Sequence, residues 1–510
     1  MRFALAVALC AGLVTCCSAV EDTDLPQTVV KVFAAKRTLN LSSPWRRGDV
    51  KSATGSGVWL GGRRILTNNH VILYASRVSV QTSGAAERHN AKVIAHSPEM
   101  DLAILEIESE DLFAGLQPPA FLDALPEPRA PVQVYGYPTG GTSQSVTEGI
   151  VSRIEYQNYN YGTHGLRIQV DAALNPGNSG GPAFMEGKIA GIVFSRLRQG
   201  DNIGYLIPGE EVQLFLQDIE DGQYDGKPRL LDRFQNLQNE ALRQKFALDA
   251  KTTGVLVKKP FAPDPEYPLQ VGDIVTHVGN HPVDNVGRVK LENGLRVSLQ
   301  YLIPRLAADG QVGLTIVRRA EPLQVAVPVQ RPHPRLIPPL KGRYPVYFVY
   351  GPLVLVEATS EFIGSLETMA GTQNTRQRAA AIGLLRAMSQ RKSPLLARRF
   401  DPPAFDGERL VMIAAKLLPH PIGSGYRNPQ TQIVVSVNGT PIRNLAHAVE
   451  TLRDLKDSLI TFEFADQGAE TLVFDRQKVL DSMEDIRIDS GIVRQGSPKL
   501  LEIWDGTTAP

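Results

Sequence analysis

The chain has 510 residues, of which 43% are hydrophobic and 21% are charged, and its formal net charge is +1. At about 150 residues per domain, this length predicts roughly three domains, and the composition excludes wholesale disorder. A net charge so close to zero produces no overall field that would attract the chain to nucleic acid or to an anionic membrane surface. Partners must therefore be inferred from local sites.

The N-terminus has the three-part pattern of a secretory signal. A basic residue, Arg2, precedes the apolar run Phe3–Val14, and small residues follow as far as Ala19. The run is short for a membrane anchor, which needs about 20 apolar residues. We predict that residues 1–19 are a signal peptide and that the chain is exported to the periplasm or another extracytoplasmic compartment.

The three cysteines, Cys10, Cys16 and Cys17, all lie in this leader. Because Leu13–Cys16 loosely resembles a lipobox, a lipid anchor at Cys16 is the alternative to soluble export. The rest of the chain has no cysteine, which excludes disulfides, thiolate metal sites and a cysteine nucleophile there. Any nucleophile in the folded body must be an oxygen or an amine.

From about residue 28 to 212, short strand-like runs alternate with turn residues. Arg77–Val80 and Gly191–Phe194 are examples, and Gly, Pro, Asn and Ser separate such runs. This pattern predicts an all-β barrel domain, which we place at residues 20–217. A polar connector, Asp218–Pro228, marks its end.

Two later stretches, Ile274–Val283 and Ile433–Ile442, resemble each other. Each reads as a strand, a Gly/Asn turn and a Pro-led return, and each is followed by a helix-like segment and a β-rich run. We interpret them as one fold used twice, at residues 226–330 and 340–480.

The segment Arg331–Pro339 is rich in proline and predicts a semi-rigid linker between the two copies. The second copy contains an insertion, roughly Met369–Asp406, which we interpret as a solvated helix and loop. Residues 481–510 are predicted to form a C-terminal tail.

The segment Asp171–Pro182 points most strongly to chemistry. Gly177 and Gly180 lie on either side of Ser179 and leave the backbone free to aim successive N–H groups into one hollow. Such a hollow can hold an oxyanion while a serine hydroxyl attacks. We predict that Gly177 and Ser179 supply the N–H groups and that Asn178 shapes the loop between them. Taken alone, such a cluster is more often a simple turn.

A serine needs a positioned base, usually a histidine whose other ring nitrogen is held by a carboxylate. His70 ends the strand-like run Leu66–Val71, and Asp101 precedes the apolar run Leu102–Leu105, where a buried carboxylate would need a partner. The chain order His70, Asp101, Ser179 is that of chymotrypsin-like enzymes. We predict that these three residues form a catalytic triad.

With these motifs in place, the chain resembles the HtrA/Deg family of serine proteases. The similarity lies in Gly55–Val58 with Leu66–Val71, in Asp101–Leu105 and in Asp171–Pro182, in that order and ahead of two PDZ-like modules. It extends over nearly the whole chain after the leader.

The resemblance implies a mostly β fold, in which a chymotrypsin-like protease domain with two β-barrels is followed by two PDZ-like α+β domains. It also implies a serine endopeptidase that cleaves unfolded or misfolded polypeptides without ATP, and a homo-oligomer built from trimers. We expect no cofactor, no nucleic-acid partner and no membrane span in the mature chain.

The substrate pocket is expected behind the nucleophile. In this protease class, a strand matching Ile189–Arg196 pairs with the substrate backbone, and its neighbours wall the pocket for the residue before the cut. The predicted lining is Leu174, Ile192, Val193 and Phe194. Because these side chains are apolar, we predict cleavage after small or medium aliphatic residues.

PDZ domains bind extended peptides by strand addition and hold the terminal carboxylate in a glycine-containing loop. In the first module this loop is expected at Leu230–Phe234, where Leu231 replaces the glycine and Asp232 would repel a carboxylate. The second module has Thr431–Gln432 where the first has Gly272–Asp273. We therefore predict weak binding of free C-terminal peptides, and roles in assembly or lid formation for the second module.

The other histidines have no motif around them. His277 and His281 fall on a strand and a turn rather than on one helix face, so shared zinc ligation is not expected. We predict surface positions for His96, His164 and His447, and no metal site.

The sequence leaves three functions open. The first is an active quality-control endopeptidase, the second is a holdase or scaffold in which catalysis is secondary, and the third is a regulatory protease with one dedicated substrate. The intact triad pattern argues against a pure scaffold.

Overall fold

The structure is a computed structural model that describes residues 24–139, 141–160, 163–196, 203–262, 264–329 and 335–507. The predicted signal peptide with its three cysteines, and the part of the predicted linker at Arg331–Pro334, lie outside the described residues. Among the residues that are described, no helix combines the length and the apolar composition needed to cross a bilayer.

The first barrel closes in the strand order β1-β2-β3-β6-β5-β4. Branched side chains on alternate strand positions fill its interior, and Val32 of β1 lies opposite Val80 of β4. The elements are β1 (Val29–Arg37), β2 (Val50–Trp59), β3 (Arg64–Thr67), α1 (Asn69–Ile72), β4 (Ala75–Thr82), β5 (His89–Ser97) and β6 (Leu102–Ile107).

The second barrel repeats this closed architecture in the order β10-β11-β12-β9-β8-β7. Leu66 and Leu102 of the first barrel share an apolar cluster with Phe184 and Ile192 of the second, so the two barrels pack against each other. The elements are β7 (Pro131–Gly136), β8 (Ser145–Asn158), β9 (His164–Val170), β10 (Pro182–Met185), β11 (Lys188–Arg196), β12 (Gly204–Pro208) and α2 (Gly209–Asp218).

The first module after the barrels is a sheet in the order β13-β14-β15-β19-β20, with short helices beside it. The elements are β13 (Arg233–Asn236), α3 (Glu240–Lys245), β14 (Val255–Lys259), β15 (Ile274–Val278), β16 (His281–Pro282), β17 (Arg288–Lys290), β18 (Arg296–Ser298), α4 (Ile303–Leu306), β19 (Gln311–Arg318) and β20 (Glu321–Pro328).

The second module is a sheet in the order β21-β22-β23-β24-β26-β27, packed with longer helices. The elements are β21 (Tyr347–Tyr350), β22 (Leu353–Glu357), α5 (Ser360–Ala370), α6 (Thr375–Gln390), α7 (Pro394–Ala397), β23 (Val411–Ile413), β24 (Ile433–Val437), β25 (Thr440–Pro441), α8 (Leu445–Asp454), β26 (Leu459–Phe464), β27 (Leu472–Asp475), α9 (Arg476–Asp489) and α10 (Pro498–Trp504). The predicted mostly β fold, with two barrels followed by two PDZ-like α+β modules, is confirmed.

The two segments that look alike in sequence also have the same local structure. β15 pairs with β16, and β24 pairs with β25, each through a two-residue return. The residue two positions before each long strand has a left-handed backbone, with φ of +100° at Gly272 and +76° at Thr431. The glycine adopts this conformation freely, whereas the β-branched threonine is strained there.

Residues 481–507, which the sequence suggests are a tail, form most of α9 and all of α10. Ile486 and Leu500 are buried against the second module, and Gly496 forms a β-bridge with Phe348. The segment is therefore part of the packed module.

A long loop between β1 and β2, residues 38–49 and here named the docking loop, reaches the second module. The Trp45 ring lies 6.0 Å from the Tyr347 ring. The Arg46 Nη2 atom donates a hydrogen bond of 2.6 Å to the Ser490 carbonyl oxygen. The first barrel and the C-terminal module are thus in direct contact.

A buried ionic cluster joins the second barrel to the first module. The Glu211 carboxylate on α2 is fully buried and pairs with Lys227, while Arg305 of α4 pairs with Glu210 at 2.6 Å. Burial acts to raise the pKa of Glu211, but the nearby Lys227 and Arg305 cations outweigh it, so that pKa is lowered. Glu211 therefore stays ionised and depends on these two cations.

Replacing Lys227 with methionine should destabilise the protein strongly. The Glu211 carboxylate would lose its closest cation without gaining water, and breaking a buried pair in this way costs about 3–5 kcal/mol. Urea denaturation should show a lower midpoint for Lys227→Met, and Glu211→Gln in the same background should recover much of the loss. The exposed pair Lys188–Asp123 provides a matched control, because Lys188→Met should leave the midpoint nearly unchanged. Equal midpoints for the two lysine variants would contradict this account.

Candidate active site

The first barrel brings His70 and Asp101 together. His70 lies in the short helix α1, directly after β3, and Asp101 occupies the turn between β5 and β6. The His70 Nδ1 atom lies 2.6 Å from Asp101 Oδ2, and the His70 backbone N–H donates a hydrogen bond of 2.7 Å to Asp101 Oδ1. One carboxylate thus fixes both the ring and the backbone of the histidine.

The Asp101 backbone is held from its other side. Its φ of +60° is left-handed, which is uncommon outside glycine but tolerated by aspartate. Its carbonyl oxygen accepts hydrogen bonds from Asn68 Nδ2 at 2.9 Å and from the Asn69 N–H at 3.1 Å. Asp101 is 1% exposed, whereas the His70 side chain is 47% exposed. The carboxylate is therefore shielded from water while the ring faces the cavity.

The loop that carries Ser179 is fixed by its carbonyl groups. The Pro176 oxygen accepts a hydrogen bond from the Thr139 N–H at 2.6 Å, and the Asn178 oxygen accepts one from the Gly181 N–H at 2.9 Å. Because a trans peptide points its C=O and N–H in opposite directions, the N–H groups that follow these two carbonyls point away from those partners.

Those two N–H groups belong to Gly177 and Ser179. The Asn178 N–H is directed instead to the Asn175 carbonyl oxygen, at 3.0 Å. Gly177 has φ of +103°, and a Cβ atom there would lie 2.4 Å from the Tyr137 carbonyl oxygen. The backbone of this loop therefore requires glycine at position 177.

Ser56 is a residue of this site to which sequence reasoning gave no role. Its N–H donates to the Ser179 carbonyl oxygen at 2.8 Å, and its Oγ donates to the Gly177 carbonyl oxygen at 2.8 Å. The same Oγ accepts a hydrogen bond from the Tyr137 N–H at 2.8 Å. Ser56 thus ties the serine loop of the second barrel to β2 of the first, and the small-residue run Gly55–Gly57 is the sequence signal for it.

His96 was expected at the surface, but it is half-buried behind His70. Its Nδ1 lies 2.9 Å from Asn69 Oδ1, next to the residue that carries the candidate base. Burial lowers the pKa of His96, so its ring is neutral near pH 7. The side chain braces α1 rather than adding charge to the site.

A cavity of about 370 Å³ unites the three candidate residues, His70, Asp101 and Ser179. Three of the four predicted pocket residues line it, namely Leu174, Val193 and Phe194, together with Asn160, Asn175 and Pro176, which were not predicted.

Ile192 is not brought to this cavity. Its side chain is fully buried in the apolar cluster between the barrels. Ile192 and Val193 point to opposite faces of β11, as successive strand residues do. The register shift between Val193 and Ser195 breaks this alternation, so Phe194 lines the cavity beside Val193.

Arg167 of β9 lies behind the pocket wall and was not foreseen. It is 3% exposed, and its guanidinium carbon lies 3.4 Å from the centre of the Phe194 ring and 3.6 Å from that of Tyr159. Burial lowers the pKa of Arg167, although nearby Tyr159 opposes this. The sandwiched guanidinium therefore fixes the Phe194 ring that faces the cavity.

We expect Arg167→Met to alter substrate selection more than the chemical step. The variant removes two desolvated cation–π contacts, each worth about 2 kcal/mol, and lets Phe194 move. For peptides with Ala, Val or Leu before the cut, KM should rise several-fold while kcat changes little.

Arg167→Lys is the matched control, because it keeps the charge and loses the planar stack. Kinetics across the peptide series should therefore resemble those of Arg167→Met. An unchanged KM profile in both variants, or wild-type cleavage only after Lys or Arg, would contradict this account of the pocket.

Comparison with known proteins agrees with this architecture. The profile of the trypsin-like peptidase domain matches residues 55–192, and that of a PDZ domain matches residues 338–499. Two closed barrels with a histidine and a serine at one cavity, followed by PDZ-like modules, define a serine endopeptidase of the trypsin-like class.

The relatives narrow this class to one family. The chain is 33% identical to Protease Do-like 2, chloroplastic, of Arabidopsis thaliana, over 95% of this chain and 77% of that protein. It is also 33% identical to the mitochondrial Protease Do-like 4 of the same plant, over 83% of this chain and 76% of that protein. The chain belongs to the HtrA/Deg family of serine proteases.

Solved structures of the family resemble part of the chain. The HtrA-type protease AlgW with tripeptide aligns with a TM-score of 0.48 and 23% identity, covering 61% of this chain and 96% of that one.

Proposed function

We propose that this serine endopeptidase degrades unfolded or misfolded polypeptides outside the cytoplasm. The proposal rests on one observation. The buried Asp101 Oδ2 atom lies 2.6 Å from His70 Nδ1, and both residues line the same cavity as Ser179. This arrangement supports a Ser-His-Asp mechanism with an acyl-enzyme intermediate.

In the proposed mechanism, Ser179 Oγ attacks the scissile carbonyl carbon and its proton passes to His70 Nε2. Asp101 accepts a hydrogen bond from Nδ1–H and stabilises the imidazolium. The Gly177 and Ser179 N–H groups donate to the oxyanion of the tetrahedral intermediate. His70 then gives the proton to the leaving amine, and a water molecule, activated by the same histidine, hydrolyses the acyl ester.

The quality-control role rests on access to the cavity. A cavity of about 370 Å³ between two rigid barrels admits an extended segment and not a folded domain. Assembly into trimers or multiples of trimers, and passage through a membrane directed by residues 1–19, complete the proposal. The words chloroplastic and mitochondrial in the names of the two plant relatives refer to the location of those proteins and are not carried over to this chain.

The proposal is tested by comparing one substrate in two states, such as a disulfide-stabilised protein and its reduced, alkylated form. Since cleavage tracks the population of open chain, the unfolded form should be degraded at least about tenfold faster. Gel densitometry over time measures both rates, and mass spectrometry of the fragments should show many cleavage sites. Stable binding of the unfolded form without cleavage would favour the holdase. Failure to cleave any unfolded protein, with efficient cleavage of one native partner, would favour the dedicated regulatory protease.

A further inference from the structure

A short turn shortly before β21 of the second module lies against the first barrel. We name residues 340–344 the entry turn. The Leu340 N–H donates hydrogen bonds to both carboxylate oxygens of Glu361 on α5, at 2.8 and 2.9 Å. The Arg343 N–H donates to the Leu340 carbonyl oxygen at 2.9 Å, which closes the turn. The entry turn is therefore fixed to the second module.

Gly342 brings the entry turn close to the first barrel. Its φ of +86° is left-handed, and a Cβ atom there would lie 3.2 Å from His96 Cε1 and 3.2 Å from Leu73 Cδ1. Both distances are shorter than an ordinary carbon–carbon contact of about 3.5–4.0 Å. Position 342 therefore requires glycine for two reasons, which are its backbone conformation and the lack of room for a side chain.

The two side chains that face Gly342 support the helix of the candidate base. His96 Nδ1 lies 2.9 Å from Asn69 Oδ1. Leu73 directly follows α1, and its N–H donates a hydrogen bond of 2.8 Å to the Asn69 carbonyl oxygen. Asn69 directly precedes His70, so any displacement of these two side chains is passed to the histidine through one residue.

Two further contacts place the entry turn beside the same part of the barrel. Lys341 Nζ lies 2.9 Å from Glu99 Oε1, and Glu99 is two residues before Asp101. The Tyr344 ring lies 5.9 Å from the ring of Tyr74, which follows the end of α1 by two residues. The entry turn therefore touches both segments of the first barrel that carry the candidate base and its carboxylate partner.

The docking loop also holds the entry turn. The Arg47 guanidinium carbon lies 4.7 Å from the centre of the Tyr344 ring. A guanidinium is attracted to the face of an aromatic ring, so this contact ties the entry turn to the loop between β1 and β2. Ionic, aromatic and cation–π contacts thus keep the entry turn in place on the first barrel.

We propose that the entry turn positions the candidate base, His70, by supporting His96, so that the second module assists catalysis within its own chain. The residues of the entry turn do not line the catalytic cavity, so they act through barrel side chains that lie behind α1. This role goes beyond the assembly and lid functions expected of the second module from its sequence. It rests on the proposed Ser-His-Asp mechanism, because holding His70 in place matters to catalysis only if His70 is the base.

The test compares two glycines of the second module. Gly342→Ala and Gly425→Ala both place alanine at a left-handed position, with φ of +86° and +90°, so the backbone strain is similar. Only Gly342→Ala adds a Cβ atom against neighbours, because a Cβ atom at position 425 would meet nothing within 4 Å. The pair of variants therefore separates the contact with the barrel from the strain of the turn.

Gly342→Ala should lower kcat for a short peptide about tenfold with little change in KM. A misplacement of about 1 Å in the catalytic groups can reduce the rate about 10²-fold, and the displacement here is smaller. Gly425→Ala should leave both kinetic constants unchanged. Urea denaturation checks that both variants are folded under the assay conditions. Equal kcat values in the two variants would overturn the proposal.

A double variant tests the route through His96. His96→Ala opens space beside position 342, so the added Cβ atom no longer displaces a ring. In the His96→Ala background, Gly342→Ala should therefore reduce kcat much less than it does in the wild type, since substitutions at contacting residues are not additive. An undiminished reduction would show that Gly342 does not act through His96 and would overturn the proposal.

Lys341→Met gives a second measurement if Gly342→Ala does not fold. This variant removes the ion pair with Glu99 and loosens the turn before Asp101, so kcat should fall several-fold. Lys188→Met is the matched control, because it removes an exposed ion pair on the surface of the second barrel. Equal kcat values in the two lysine variants would overturn the proposal.

The reaction of Ser179 with a fluorophosphonate separates failure of this inference from failure of the proposed function. The serine oxygen bonds to phosphorus, its proton passes to His70 and fluoride leaves, so the rate depends on the triad and on no polypeptide substrate. Gly342→Ala should react more slowly than the wild type by about the same factor as for kcat. Equal rates would overturn the positioning role and leave the proposed mechanism standing. A wild-type chain that does not react at Ser179 would overturn the mechanism and this inference together.

Discussion

Ser179→Ala should reduce cleavage of an unfolded protein by at least about four orders of magnitude. The hydroxyl is the proposed nucleophile, and loss of the nucleophile from such a triad typically lowers kcat by about 10⁶-fold. The small activity that remains comes from the oxyanion hole and from substrate binding. A fluorescent casein-type assay on purified wild-type and variant chains measures the effect. The variant should still bind the substrate, because the cavity walls are intact.

Ser143→Ala is the matched control, since Ser143 is an exposed serine outside the cavity. Its activity should equal that of the wild type. Equal activity of Ser179→Ala and Ser143→Ala would rule out Ser179 as the nucleophile and show that the Gly177 to Gly180 turn has only a structural role.

Asp101→Asn should lower kcat by about 10⁴-fold with little change in KM. The asparagine oxygen can still accept the His70 backbone N–H, so the turn should remain folded. The amide N–H₂ cannot accept a hydrogen bond from Nδ1–H, so the ring would adopt the other tautomer and Nε2 would no longer take the serine proton. Steady-state kinetics with a peptide substrate separate kcat from KM.

Asp123→Asn provides a comparison at an exposed carboxylate, which pairs with Lys188 on the surface. It should leave both kinetic constants unchanged. If Asp101→Asn kept its kcat, then Asp101 would be a structural partner of the α1 backbone alone, and another group would have to orient His70.

Much of this architecture could be predicted from the sequence because its signals are local. The glycines around Ser179, the strand that delivers His70 and the apolar run after Asp101 are short motifs, and backbone geometry dictates their residue types. The strand, two-residue turn and second short strand that recur in the two modules could also be recognised in the sequence, because this motif too is short and local. Thr431 has a left-handed backbone like that of Gly272 at the matching position of the first module, so the two modules differ in residue type here but keep the same turn.

What the sequence could not supply depends on tertiary packing. The sequence identified β11 as a strand behind the nucleophile and placed Ile192 in the pocket lining. Which of its side chains meet the cavity depends on how the second barrel closes and on the register shift after Val193, and this separates Val193 from Ile192. Nothing in the sequence indicated a role for Arg167, because only the fold places it between two aromatic rings.

The environment of Asp232 also depends on tertiary packing. From the sequence its charge was expected to repel a peptide carboxylate. In the structure it is 7% exposed and accepts hydrogen bonds from the Phe261 N–H at 2.9 Å and the Tyr267 hydroxyl at 3.1 Å. Burial raises the pKa of Asp232. Its charge is thus engaged inside the module, and weak binding of free C-terminal peptides stays a prediction that rests on Leu231.

The docking loop has a consequence for how the chain is made. Arg46 and its acceptor Ser490 are 444 residues apart. At a synthesis rate of about 5–20 residues per second, roughly 20–90 seconds pass between the emergence of the two ends of this contact. Both barrels are complete in sequence long before then, so a nascent chain can fold its catalytic cavity while Trp45 still has no partner. Its ring partner Tyr347, and the apolar cluster that half-buries this tryptophan and extends to Ile492, are translated only after the protease domain.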